Sequence, residues 1–178
     1  MALVVKKGTH GTSLTRANMI KASGVWYTSA GRAGTGAYFW AESPYAWALA
    51  VGWYREALEE GKFSRDANRE GIVLFVNLTS DEKECLDLED ETLKNKMAEL
   101  IIAKGPSGKV SDRRQAAFYD FFIRELEKDR KVKYALLRVK VAPPREVDYP
   151  LRVLGAPSCL VARSTNCITI VDRKEIAS

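Results

Sequence analysis

The order of strand-like and helix-like segments limits the possible folds of this chain more than any other feature of its sequence. Short apolar segments of strand length lie near both ends and in the middle of the 178 residues, and helix-like segments lie between them. This order favours an α+β fold with largely antiparallel pairing, because a parallel sheet would require a regular alternation of strands and helices. The predicted strands are residues 3–5, a short segment that carries Tyr38, and residues 72–76, 134–141, 159–162 and 168–171.

Apolar spacing and capping residues predict four helices. Gly24 and Gly61 suit the ends of the first two helices, because glycine adopts the left-handed backbone conformation that often follows a helix. Ser43 and Ser111 suit the starts of the second and the fourth, because a serine hydroxyl accepts from free N–H groups of the first turn. The predicted helices are residues 14–22, 43–60, 92–104 and 111–129.

The segments between these elements predict the domain organisation. Residues 81–91 are acidic and are expected to form an exposed turn, and residues 163–166 are expected to form a hairpin turn between the last two strands. The length suits one domain over residues 1–178, with a helical insertion at about 79–130.

Composition restricts the compartment and the kinds of site. An odd number of cysteines without paired spacing (Cys85, Cys159 and Cys167) argues against a disulfide framework, and a single histidine makes a zinc site improbable. We therefore expect a cytoplasmic protein without a bound metal. The order of the first residues does not match a signal peptide, so none is expected, and no apolar run approaches the ~20 residues that a membrane span needs. The net charge of +5 permits a polyanionic partner without requiring one.

Residues 10–40 are the richest in candidate site residues. The only histidine stands in His10-Gly11-Thr12-Ser13, and a glycine-rich loop leads to Gly34-Thr35-Gly36-Ala37-Tyr38-Phe39-Trp40. This pattern predicts a polar side chain, a bare backbone turn and an aromatic ring at neighbouring strand ends, which suits a flat, polar small molecule. Taken singly, His10 and Tyr38 also fit structural roles, as a hydrogen-bonded histidine and a core tyrosine.

These motifs together resemble the ADP-ribosyltransferase superfamily, in its diphtheria-toxin and poly(ADP-ribose)-polymerase-like His-Tyr branch. There a His-Gly-Thr follows the first core strand, Gly-x-Gly-x-Tyr-Phe comes a few tens of residues later, and an alanine-containing helix follows, as Ala46, Ala48 and Ala50 do here. The match is specific over about residues 10–50. The resemblance implies a split antiparallel β-sheet core with surrounding helices. It also implies an NAD-dependent mono-ADP-ribosyltransferase, such as a bacterial toxin or phage-defence effector.

The same resemblance assigns roles to individual residues. The backbone of Gly11 would hold the nicotinamide carboxamide, His10 would bond a hydroxyl of the adenosine ribose, and Tyr38 would stack on the nicotinamide ring. Trp47, or alternatively Tyr45, would supply a second ring. The remaining candidate NAD contacts are Thr12, Ser13, Arg32 and Asn166.

One feature departs from the family pattern. Many members carry a glutamate at the start of a late core strand, where it stabilises the ribosyl cation, and here the corresponding position is Ser158, with no carboxylate from 157 to 169. Ser158 is therefore the third expected catalytic residue, in place of a charged one. Neutral hydrogen bonds are weaker than charge-assisted ones, so transfer of single ADP-ribose units is expected rather than polymer formation.

The acceptor and the wider function stay open between several alternatives. Basic residues near the expected site, together with the 104–109 loop and rings such as Trp26 or Tyr27, favour RNA over protein as the acceptor. The alternatives are a protein-targeted mono-ADP-ribosyltransferase, an RNA 2′-phosphotransferase, and a non-catalytic module that binds NAD or nucleic acid. NAD is expected as co-substrate, and an antitoxin protein as a possible partner.

Overall fold

The fold is a mixed α/β architecture of the α+β kind. The computed structural model describes residues 2–26, 29–31, 33–104 and 111–177. The strands are β1 (Leu3–Ser13), β2 (Ser29–Gly31), β3 (Gly34–Ala41), β4 (Gly71–Asp81), β5 (Cys85–Asp87), β6 (Leu136–Lys140), β7 (Ser158–Ala162) and β8 (Ile168–Glu175). The helices are α1 (Leu14–Ser23), α2 (Ala46–Glu59), α3 (Glu91–Lys104), α4 (Asp112–Arg130) and the short α5 (Leu151–Leu154), with 3-10 turns at Glu82–Glu84 and Thr165–Cys167.

One sheet joins most of the strands, in the order β5-β6-β7-β3-β1-β4-β8, and β2 pairs with β3 outside this path. Among the described strands every pairing is antiparallel except that between β5 and β6. The predicted antiparallel α+β character is thereby confirmed.

β1 has very different contacts with its two neighbours. It pairs with β4 along its whole length, from Leu3 to Ser13, but with β3 only at Gly8 and Thr9. Beyond Thr9 the two strands separate, and we call this space the β1–β3 gap. The predicted strand at residues 3–5 is the start of β1, but the turn expected at His10 was wrong, because β4 offers a pairing partner to every residue up to Ser13.

Both faces of the sheet are buried. On one face α2, α3 and α4 pack over a cluster that includes Trp40, Leu49, Val73 and Ile123. On the other, α1 and Trp26 cover a second cluster with Phe39, Ile72, Leu74 and Leu160. Burial on both faces explains why residues 72–76 form a continuous apolar run rather than an alternating one.

The last two strands are not a hairpin, so that prediction was wrong. β7 lies between β3 and β6, whereas β8 lies at the edge beside β4. The N–H groups of Arg163 and Ser164 both donate to the carbonyl of Ala135, and Cys167 is buried in the second cluster. These contacts carry the chain away from β7 before β8 begins.

Other local predictions were partly right. The first, third and fourth helices each begin and end within about one residue of the predicted positions. Ser111 caps α4 as predicted, by accepting a hydrogen bond from the N–H of Arg114. Ser43 does not cap α2, which begins only at Ala46. The 81–91 segment contains β5, because Leu86 and Leu88 are buried. Within the described residues, no helix is long and apolar enough to cross a membrane.

A buried carboxylate ties α4 to the sheet. Glu127 is 6% exposed and accepts hydrogen bonds from the Tyr134 N–H at 3.0 Å, from Arg163 at 2.6 Å and from Lys133 at 3.1 Å. Burial by itself would raise the pKa of Glu127, but these hydrogen bonds and cations outweigh burial and hold the pKa below its ordinary value. Glu127 therefore links α4, the segment before β6 and the end of β7 as an anion.

Glu127→Ala is expected to lower the free energy of unfolding by about 3 kcal/mol, because it leaves the partly buried Arg163 without its counter-ion. The control Glu125→Ala removes an exposed partner of Lys128 and should cost about 1 kcal/mol or less. Urea unfolding at several pH values measures both. The Glu127 effect should be full above the ordinary glutamate pKa and shrink as the pH falls through the lowered one. Equal losses in the two variants would contradict the proposed link.

Candidate functional site

His10 lies inside β1, next to the β1–β3 gap. Its imidazole packs against Trp26 and Phe39, with ring centroids 5.7 and 5.6 Å away. Its Nδ1 lies 2.8 Å from the backbone carbonyl oxygen of Tyr38. Because a carbonyl oxygen only accepts, Nδ1 carries the hydrogen and donates it, which makes Nε2 of the neutral ring an acceptor. His10 is thus suited to accept a hydrogen bond from a hydroxyl group.

The surroundings keep His10 neutral. Burial lowers its pKa most, the hydrogen bond to the Tyr38 carbonyl partly opposes this, and the positive charge of Arg16 lowers the pKa further. The acceptor nitrogen is therefore present at neutral pH.

Gly11 turns its backbone polar groups toward the gap. The N–H of Glu42 donates to the carbonyl of Lys7, so the polar groups of Lys7, and of every second residue after it, point to the β3 side of β1. Gly11 is one of these residues, and the β1–β3 ladder stops before it, at Thr9. On the face of the sheet that α2 covers, a Cβ at Gly11 would overlap the carbonyl oxygen of Ala50. The lack of a side chain thus lets α2 pack against β1, while the N–H and C=O face the gap.

Tyr38 is half-buried and holds the β2–β3 hairpin together. Its ring lies against Gly31, its hydroxyl donates to the carbonyl of Gly34, and it accepts from the N–H of Ala33 at 3.1 Å. Burial raises the pKa of this hydroxyl far above its ordinary value. Asp120 of α4 fixes the same hairpin by accepting from the N–H and the hydroxyl of Thr35.

The contact between His10 and Tyr38 joins the His10 ring to the backbone carbonyl of Tyr38, and it is not a contact between the two side chains. The His10 ring packs with Phe39 in the cluster beneath α1, whereas Tyr38 packs in the cluster beneath α2 and α4. Successive residues of a strand point to opposite faces, which places Tyr38 and Phe39 on different sides of the sheet. The rings of His10 and Tyr38 therefore lie on opposite faces of the sheet.

The two residues after Gly11 are buried and serve the fold. Thr12 is 2% exposed. The Ser13 hydroxyl accepts from the N–H of Arg16, which caps α1, and donates to Asp66 at 2.5 Å. Arg16 forms a salt bridge with the same carboxylate at 2.9 Å. These contacts fix the start of α1 to the loop after α2.

Ser158 lies at the opposite end of the strands from the gap. Tyr38 pairs with Val161 of β7, and Ser158 stands three residues before Val161, which is about 10 Å along the strand. Its hydroxyl donates to Glu89 at 2.8 Å and lies 3.3 Å from a guanidinium nitrogen of Arg138. Ser158 is therefore not in direct contact with Tyr38.

The other predicted NAD contacts are dispersed. Trp47 is 39% exposed and stacks on Phe75 of β4, on the far side of β1 from β3, with centroids 6.2 Å apart. The alternative ring, Tyr45, packs edge-on against Tyr149 at 5.0 Å. Asn166 is exposed on the Thr165–Cys167 turn. Arg32 lies outside the described residues.

The predicted RNA-stacking ring Trp26 is 6% exposed and belongs to the core, so that expectation was wrong. Its ring is buried because it fills the space between α1 and Phe39, at 5.0 Å from Phe39. Tyr27 and residues 105–110 of the basic loop lie outside the described residues.

Two cavities in the described part of the chain have linings that do not include His10, Gly11 or Tyr38. One, of about 300 Å³, is lined by residues of α4 and β6 with Ala33. The other, of about 330 Å³, contains Ser158 and Glu89. Glu89 is not among the predicted site residues, because the acidic sequence of residues 81–91 predicts an exposed turn. The apolar alternation of Leu86 and Leu88 was the available signal for β5.

The described residues contain no group of three or more His, Cys, Asp or Glu placed to hold a metal.

Comparisons with known proteins leave the family open. No protein-family model, curated protein or solved structure matches the chain. The functional assignment therefore depends on the motifs and on the geometry described above.

A titration of His10 tests the environment of the gap. The imidazole should titrate below its ordinary pKa of about 6.5, because burial disfavours the cation. Its contribution to stability should be full above the ordinary pKa and decline as the pH falls toward the lowered value. As the chain has one histidine, its NMR signals are unambiguous, and the urea-unfolded chain supplies the control. A folded-state midpoint at or above the unfolded one would contradict this description.

Gly11→Ala tests the close approach of α2. The added Cβ should lower the free energy of unfolding by about 3 kcal/mol, because it overlaps the Ala50 carbonyl. Gly24→Ala is the control: its backbone is left-handed at φ 66° but nothing lies within 4 Å of the added atom, so about 1–2 kcal/mol is expected. Thermal or urea unfolding compares the two. A smaller loss for Gly11→Ala than for Gly24→Ala would mean that α2 moves aside freely.

Proposed function

We propose that this protein is an NAD-dependent mono-ADP-ribosyltransferase. The observation that carries the proposal is the β1–β3 gap, which the polar backbone groups of Gly11 face and beside which Nδ1 of a neutral His10 donates to the Tyr38 carbonyl, so that Nε2 is left as an acceptor. Backbone N–H and C=O groups complement a carboxamide, and an imidazole nitrogen complements a ribose hydroxyl. NAD contains both groups. The short ladder between β1 and β3, which pairs only Gly8 and Thr9 of β1, is also compatible with the split core that the motifs imply.

In this proposal the protein positions NAD and the bond to nicotinamide breaks. The electron pair of the glycosidic bond leaves with nicotinamide, and a ribosyl cation remains. A nucleophile of the acceptor attacks C1′ and then loses its proton. Gly11 holds the carboxamide and His10 a ribose hydroxyl, while the exposed part of Tyr38 contacts the nicotinamide ring.

Transfer of single units is the expected outcome. The side chain of Ser158 is a hydroxyl and not a carboxylate. Tyr38 pairs with Val161, which is three residues along β7 from Ser158. Because Ser158 and the Glu89 carboxylate that it bonds lie about 10 Å along the strand from Tyr38, neither is placed to engage the hydroxyl of an already attached ADP-ribose, which elongation needs.

RNA is the proposed acceptor, and the cytoplasm the proposed compartment. Exposed cations of the described residues, among them Lys6, Lys21, Arg113 and Arg114, provide an attraction for phosphates that does not depend on sequence. A protein of this activity would act as a toxin or phage-defence effector, and an antitoxin would be its partner.

The test is an incubation with NAD labelled in the adenylate part, with a cell lysate as the source of acceptors. We expect release of nicotinamide and single labelled ADP-ribose units that nuclease removes and protease does not. His10→Ala and Tyr38→Ala should abolish both signals. Tyr38→Phe, which keeps the ring, should retain most of the activity with a lower melting temperature.

Trp53→Ala serves as the control, because Trp53 is an exposed aromatic residue of α2 outside the gap. Unchanged nicotinamide release in His10→Ala and Tyr38→Ala would refute the site. Label that survives nuclease but not protease would identify a protein acceptor. NAD binding without nicotinamide release would indicate a non-catalytic module.

A further inference from the structure

A polar cavity lies at the end of β6 and β7 that is remote from the β1–β3 gap. It measures about 330 Å³, within the range of small-molecule sites. Its walls come from four separate segments, which are the β3–α2 connection, the residues after β5, the end of β6 and the segment before β7. The polar and aromatic residues of the lining include Glu42, Glu89, Arg138, Lys140, Tyr149 and Ser158.

Hydrogen-bonding groups of both kinds converge in this cavity. The Glu89 side chain is only 13% exposed, and its carboxylate accepts from the Ser158 hydroxyl at 2.8 Å. The guanidinium of Arg138 lies 3.5 Å from Glu89 and 3.4 Å from Asp87. An incoming hydroxyl group can both donate to such a carboxylate and accept from such a guanidinium.

The charges around the cavity balance. Its charged lining residues are two carboxylates, Glu42 and Glu89, and two cations, Arg138 and Lys140. Glu42 also pairs with Lys7 at 3.2 Å, and Arg138 is shared between two carboxylates. An anion at Arg138 would therefore compete with Asp87 and Glu89, whereas a neutral polar ligand would not.

An aromatic ring forms one wall. Tyr149 is half-buried and packs edge-on against Tyr45, with ring centroids 5.0 Å apart, so its orientation is fixed. Leu154 and Pro157 extend this apolar wall. A ligand that fits must present an apolar face as well as several hydroxyl groups.

We infer that this cavity binds the ring of a cyclic polyol, a pentose or hexose, either free or as part of a nucleoside. The hydroxyl groups bond Glu89, Arg138 and Ser158, and the C–H face of the ring rests on Tyr149. The site contains neither His10 nor Tyr38. Sugar binding is measured without NAD and does not rest on the proposed transferase activity.

The experiment is a titration of the ¹⁵N-labelled protein with D-ribose, with adenosine and, separately, with inorganic phosphate. We expect saturable amide shifts at Ser43, Glu89 and Ser158 with ribose or adenosine and none with phosphate. Shifts with ribose identify a site for the free sugar, and shifts with adenosine alone identify a nucleoside site. Shifts with phosphate alone, or no shifts with either sugar, overturn the inference.

Glu89→Gln should weaken sugar binding by about tenfold, because it replaces a charged acceptor by a neutral one of the same size. Glu91→Gln is the matched control, since its side chain is 81% exposed and pairs with Lys94 outside the cavity. Sugar-induced shifts at residues beside His10 and Gly11, with none at Glu89 and Ser158, would place the sugar in the gap and refute the inference. If Glu89→Gln does not fold, sugar binding by the Tyr149→Leu variant and the sugar-induced shifts of the wild-type protein test the inference instead.

Discussion

The hydrogen-bonding capacity of β1 governs the rest of the structure. All eleven residues of β1 have partners in β4, but only Gly8 and Thr9 have partners in β3. This imbalance opens the β1–β3 gap and turns the polar backbone groups of Gly11 toward it. The same imbalance lets α1 and Trp26 cover one face of the sheet while α2 covers the other.

The strands beside the gap are rigid because their partners fix them. Gly11 lies against α2, and Ser13 joins α1 to Asp66. On the opposite side, Tyr38 and Asp120 fix the β2–β3 hairpin. A site between such strands is preorganised. It can orient a bound ligand without first changing its own conformation.

Two kinds of polar environment coexist in this small protein. At the gap, backbone groups and a neutral imidazole offer hydrogen bonds without charge. At the far end of β6 and β7, opposite charges form a balanced network around Glu89 and Arg138. Buried ions need such partners, since removal from water costs each of them several kcal/mol. Ser158, expected at the first site from the sequence, belongs to the second in the structure.

The sequence by itself determined the α+β class and the positions of most helices and strands, because apolar periodicity and capping act between residues close in the chain. Only the tertiary structure decided that β7 and β8 lie in different parts of the sheet, that Trp26 is buried, and that Glu89 reaches Ser158 from 69 residues away. Those outcomes depend on which strands pair and which side chains fill the space between them. Strand pairing and side-chain packing are decided between residues far apart in the chain, so the pattern within one segment does not specify them.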